Sequence, residues 1–150
     1  MKNFIYYILV VVFTLLTGCL NDKHDTAVYP QKIFETVNAK YPSDKNTLIF
    51  IGAPEGFIAP RLATSAVENG VDNGKVVAII SALALKTTTV IIAGENESLT
   101  ATTLVKALTT GKDKINGAKA IVIGAKDTQK NLADLAATSG VALEFIDNPF

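Results

Sequence analysis

Residues 89–94 read Thr-Val-Ile-Ile-Ala-Gly, and this stretch sets the fold class. Its centre is an unbroken apolar run without in–out alternation. A strand that is apolar on both faces must be covered on both, as in a parallel sheet between helical layers. The pattern recurs at 47–52 (TLIFIG), 118–124 (AKAIVIG) and 141–147 (VALEFID). Each run ends in Gly or Asp, a residue that suits the turn out of a strand.

Helical periodicity fills the gaps. Ala101, Leu104, Val105 and Leu108 mark one helix, with Ser98 as its expected cap and Gly111 as its stop. Leu132, Leu135 and Ala136 mark another, with Asp127 as expected cap and Gly140 as stop. Helix-length connections impose parallel pairing and right-handed crossovers. Between the first two strands, residues 60–69 form a helix expected to turn Leu62, Ala63, Ala66 and Val67 inward, with Gly70 past its end. Residues 75–86 (KVVAIISALALK) suit a buried helix or a fifth strand at 76–80. A strand there would meet the next one with no Gly, Pro, Asn or Asp between them to turn the chain, so the helix is favoured. Upstream, Pro30 opens a short surface helix with Ile33, Phe34 and Val37 on one side, and Pro42 ends it. The expectation is a three-layer α/β/α sandwich, Rossmann-like in general class, around a mostly parallel sheet of about four strands. The echo among 49–55 (IFIGAPE), 90–96 (VIIAGEN) and 121–127 (IVIGAKD) is the strand–Gly–turn–helix punctuation of such a fold, not a repeat.

The N-terminus carries a different message. Lys2 precedes a thirteen-residue run, 4–16, that is apolar except for Thr14. The run is too short to span a hydrocarbon core of ~30 Å comfortably. Thr17, Gly18 and then Cys19, the one cysteine of the chain, follow Leu16. A charged start, a short apolar middle and small residues before a cut are the marks of a processed leader. The segment resembles a bacterial lipoprotein signal peptide ending in a lipobox formed by Leu16, Thr17, Gly18 and Cys19. That resemblance implies removal of residues 1–18, a thioether-linked diacylglycerol on Cys19, and a place in the cell envelope. Leu20 stands where aspartate holds enterobacterial lipoproteins at the inner membrane, so the resemblance leans to the outer membrane, facing the periplasm. An uncleaved short anchor is the alternative. Residues 19–29 then read as a flexible tether, which includes the one histidine, His24, and residues 30–150 as a single α/β domain.

Charge and composition narrow the function. The fourteen basic and fourteen acidic side chains balance, and loss of Lys2 with the leader leaves a net charge of −1. A near-neutral domain lacks the footprint of a nucleic-acid binder. No consecutive basic stretch reinforces the lipid anchor. With Cys19 acylated, no thiol remains for a disulfide. No P-loop or dinucleotide fingerprint is present, and no cofactor is expected: Gly52 and Gly56 lack the spacing, and the Gly111-Lys112 pair follows a helix. His24 in the tether is poorly placed as a general base, and no serine lies in a G-x-S-x-G context. The threonines at 100–103 read as a solvated helix face. Phe150, at the end of FIDNPF, reads as folding back over the core edge.

One candidate site remains. Open parallel sheets hold ligands beyond the carboxyl ends of their strands. That rim carries Glu55, Glu95, Glu97, Asp127 and Asp147 against Lys126. Carboxylates gathered there suit a small ligand or a divalent cation such as Mg²⁺ or Ca²⁺. The same acids also complement helix N-termini. Lys45, Lys86, Lys112, Lys114 and Lys119 at the opposite rim mirror them, each such charge being worth about 0.3–1 kcal/mol. The leading expectation is a non-enzymatic, membrane-anchored module that meets an envelope protein in a secretion, pilus, conjugation or exclusion setting. A ligand- or cation-binding lipoprotein is the second reading and a carboxylate-based hydrolase the third.

Overall fold

The computed structural model describes residues 28–43, 45–56 and 58–147. The expected leader (1–18), most of the expected tether and Phe150 lie outside the described residues.

Four strands form one sheet: β1 (Asn46–Ile51), β2 (Thr89–Gly94), β3 (Lys119–Ile123) and β4 (Ala142–Ile146). All neighbours are parallel, in the order β1-β2-β3-β4. Among the helices, α1 (Val28–Lys40) precedes β1. Helices α2 (Ala59–Glu68) and α3 (Gly74–Ala84) both lie between β1 and β2. The next crossover holds α4 (Glu97–Thr110) and the short α5 (Lys112–Ile115). A 3₁₀ turn (Lys126–Thr128) leads into α6 (Gln129–Thr138) before β4.

Sequential parallel strands joined by crossovers of one hand put every connection on the same side of the sheet. The two cores show this directly. Val67 of α2, Val76, Ile79 and Leu83 of α3, Leu104 and Leu108 of α4, and Leu132 and Ala136 of α6 all pack with Ile49, Val90, Ile92, Ala120 and Val122. The alternate strand residues Ile91, Ala93, Ile121 and Ile123 face the other way, and there Ile33 and Val37 of α1 meet them. The fold is thus an α/β three-layer sandwich with unequal outer layers. One side holds the crossover helices; the other, among the described residues, holds α1.

α1 is fastened at its C-terminal end. The Tyr41 hydroxyl donates to the Glu144 carboxylate on β4. Asn46 Nδ2 donates to Asn38 Oδ1 at 2.6 Å and to the Tyr41 carbonyl at 2.9 Å. Only four residues separate Tyr41 from Asn46, so α1 runs antiparallel to β1 and its first residues lie at the carboxyl end of the strands. α1 takes in Val28 and Tyr29, which the sequence assigned to the tether, and places Pro30 inside its first turn.

Residues 75–86 are helical over most of their length, as the missing turn residues require. Three local expectations are corrected. Asn96, not Ser98, caps α4: its Oδ1 accepts from Leu99 N at 2.9 Å. Asp127 does not cap α6 but sits in the 3₁₀ turn, and Thr128 precedes the helix without a side-chain cap. Leu62 points outward, 66% exposed, while Val67 carries the buried contact of α2. Thr100 and Thr103 are also buried and do not form a solvated face. Their hydroxyls donate to the carbonyls four residues back, Asn96 O at 2.8 Å and Leu99 O at 2.7 Å, which satisfies them inside the core.

Candidate functional site

The rim at the strand carboxyl ends is built by four departures from the sheet. After β1 the chain runs through Gly52, Ala53 and Pro54. After β2 it turns at Glu95 and Asn96. Glu95 N donates to Ile51 O at 3.1 Å, which prolongs the β1–β2 pairing by one residue. The Glu95 carboxylate then accepts from Ala53 N at 2.7 Å, so this acid ties two rim loops together. Gly94 lets α4 approach: a Cβ there would lie 2.7 Å from Ile51 O and collide with the Thr100 hydroxyl.

After β3, Gly124 (φ +80°) and Ala125 (φ +59°) are both left-handed, and Ala125 is buried. Alanine in this region is strained by roughly 1–2 kcal/mol. The turn delays α6 and sets Lys126 and Asp127 outward. The Glu97 carboxylate lies against Gly124, where a Cβ would approach its Oε1 to 3.0 Å. Glu97 and Asp127 line one open groove of about 500 Å³ with Ser98, Thr128 and Asn131, between α4 and α6.

The five expected carboxylates are all exposed. The fold brings two of them, Glu97 and Asp127, to the same groove. Glu95 is engaged with Ala53, and Glu55 and Asp147 stand apart. Glu55 follows β1 and Asp147 follows β4. Three strand spacings separate those positions, about 14 Å. A single cation gathers oxygens at about 2.3–2.6 Å. Among the described residues no three His, Cys, Asp or Glu side chains stand close enough to hold a metal ion. The strand order also runs without reversal, so adjacent crossovers do not part to either side of the sheet. That parting is what opens the ligand crevice of doubly wound sheets.

Two further hollows flank the sheet. One of about 360 Å³ lies at the end of β1, between Ala53, Val67, Asp72, Lys75 and Thr103. Another of about 590 Å³ opens at the amino ends of the strands, beside Tyr41, Asn46, Lys119 and Glu144.

The most unusual surface was not singled out from the sequence. The exposed large apolar residues of the described chain, Ile58, Leu62, Val71, Val77 and Leu85, all fall in the β1–β2 crossover. Helix α3 is central to it. Val76, Ile79 and Leu83 face the core, yet Val77 is 57% and Leu85 62% exposed on the other side. The signal was present: no charged residue occurs from Val76 to Leu85. An all-round apolar helix reads as buried, and only the packing reveals that half of it is open. No described helix is long and apolar enough to cross a membrane. Compared with known proteins, the chain matches no family model, no curated protein and no solved structure.

Proposed function

We propose that the protein is an envelope lipoprotein, acylated on Cys19 and held on a membrane surface, whose α/β domain acts as a non-enzymatic interaction or assembly module. The observation that carries this reading is Leu16-Thr17-Gly18-Cys19 at the end of a thirteen-residue run, 4–16, that is apolar except for Thr14. Each methylene buried in lipid contributes about 0.8 kcal/mol, so two or more acyl chains give a stable anchor. The exposed Ile58, Leu62 and Val71, which precede α3 in the β1–β2 crossover, support a docking role for the domain.

Replacing Cys19 with alanine tests the anchor. The expected result is loss of palmitate incorporation and accumulation of precursor or unanchored product. Normal acylation and membrane fractionation of that variant would refute it. Cross-linking in intact envelopes, followed by mass spectrometry, tests the module. Recovery of monomer alone would count against a protein partner.

A second reading, a small-ligand or divalent-cation site, draws on the groove shared by Glu97 and Asp127. It requires thermal stabilisation by millimolar Mg²⁺ or Ca²⁺ that disappears in Asp127→Ala. An unchanged melting temperature sinks it.

A further inference from the structure

The outward face of α3 is a coherent stripe. At about 100° per residue, Val77, Ala78, Ser81, Ala84 and Leu85 fall within an arc of about 120°. All five are exposed. The buried set, Val76, Ile79 and Leu83, occupies the opposite side. The outward stripe is as wide as the one a helix normally gives its core, and it carries no charge. Lysines bracket it. Lys75 stands at one end, about 60° outside the arc and beside the hollow at the end of β1, and Lys86 just past the other. Helix α5, packed against α3, adds Lys112 and Lys114. Within 72–86 and 112–114 the charged residues are four lysines and two acids, Asp72 and Asp113.

We propose that this face of α3 lies on an anionic lipid bilayer, the one that holds the acyl chains of Cys19. The inference rests on the anchoring reading above and adds the orientation of the domain. Two features favour lipid over a second copy of the chain. In an antiparallel two-fold pairing of α3, Lys75 would face the partner's Lys86. In a parallel one, each lysine would face its equivalent. Anionic headgroups instead accept the lysines at both ends, while the apolar stripe meets the acyl boundary.

The reach of the tether agrees. α1 begins on the far side of the sheet from α3. Layers about 10 Å apart, plus the radius of α3, put its start about 25 Å above a bilayer touching α3. Nine residues from Cys19 to Val28 span at most about 31 Å when extended. The tether is long enough, with little to spare.

The test uses the processed, full-length lipoprotein in vesicles of phosphatidylethanolamine and phosphatidylglycerol containing doxyl-labelled lipid. A fluorophore is placed through Val77→Cys or Leu85→Cys, with Glu35→Cys on α1, across the sheet from α3, as the control. Flotation and intact mass report the anchor; quenching reports the docking. The expected result is quenching at 77 and 85 with little at 35, and its loss in Lys75→Glu/Lys86→Glu. Removing residues 21–24 cuts the reach to about 17 Å and should abolish quenching while flotation persists. Persistent quenching in that deletion would overturn the geometry. Vesicle-bound chains with unquenched labels at 77 and 85 would overturn the docking and leave the anchor standing. Labels shielded from iodide but not quenched by lipid would mean that protein covers the face, and would also overturn it. An unacylated chain would overturn the anchoring reading, and the docking with it.

Discussion

Replacing Gly94 with alanine sets two physical effects against each other. Gly94 ends β2, and its φ lies outside the left-handed region, so its backbone suits any L-residue. On chain entropy alone, alanine would stabilise by about 0.4–1 kcal/mol. The space around it argues the other way. The new Cβ would stand 2.7 Å from Ile51 O and 3.1 Å from Ile51 Cβ, and would collide with the Thr100 hydroxyl. The hydroxyl has an escape, but swinging away breaks its 2.8 Å bond to Asn96 O, at a cost of about 1 kcal/mol. Ile51 O has none. It belongs to β1, paired in register with β2, and it also accepts from Glu95 N. Prying these strands apart resembles core overpacking, at about 1–3 kcal/mol. The balance is a net loss of about 2–3 kcal/mol, out of the roughly 5–15 kcal/mol typical of a domain. The chain has no tryptophan, so urea unfolding is best followed by far-UV circular dichroism. With an m-value of about 1–3 kcal/mol/M, the midpoint should fall by about 0.7–3 M. Adding Thr100→Ala removes one obstacle and should return about 1 kcal/mol of coupling. A Gly94→Ala protein as stable as the parent would refute the close approach of α4 to the β1–β2 rim.

Other outcomes follow from the same packing. Thr88 Oγ1 is buried without a partner, so Thr88→Val should raise stability by about 1 kcal/mol in thermal unfolding. Asn96→Ala removes the cap of α4 and should cost about 1 kcal/mol, whereas Ser98→Ala should cost little. Leu104 is fully buried, and its replacement by alanine should cost about 2–5 kcal/mol in urea titrations. Leu62→Ala, at an outward position, should stay within about 0.5 kcal/mol of the parent.

The strands were legible in the sequence because parallel, doubly covered strands leave unbroken apolar runs, and all four begin and end within a residue or two of the expected limits. Helix α3 was legible from a negative, the missing turn residues before Thr89. The caps were harder to read. Asn96, Glu97 and Ser98 are consecutive, and only the extra pairing of Glu95 N with Ile51 O fixes where the chain is free to start a helix. At Asp127 the two left-handed residues before it postpone α6, and alanine at 125 gives no hint of such a backbone. The acidic rim could be placed from strand direction alone. Its dispersal could not, because the distance between two rim residues depends on how many strands separate them. The open side of α3 was hidden for a related reason: periodicity tells which residues are apolar, not which of two apolar faces is covered.

Helix α1 has a further consequence for biogenesis. The ribosome delivers it before any strand, yet its clasp joins Tyr41 to Glu144, 103 residues later. Its seat, made from Ile91, Ala93, Ile121 and Ile123, takes shape only as the strands assemble. A product truncated before β4 therefore keeps its first helix, the seat on β2 and β3 and the Asn46 bonds to Asn38 and Tyr41, but loses the far end of the clasp.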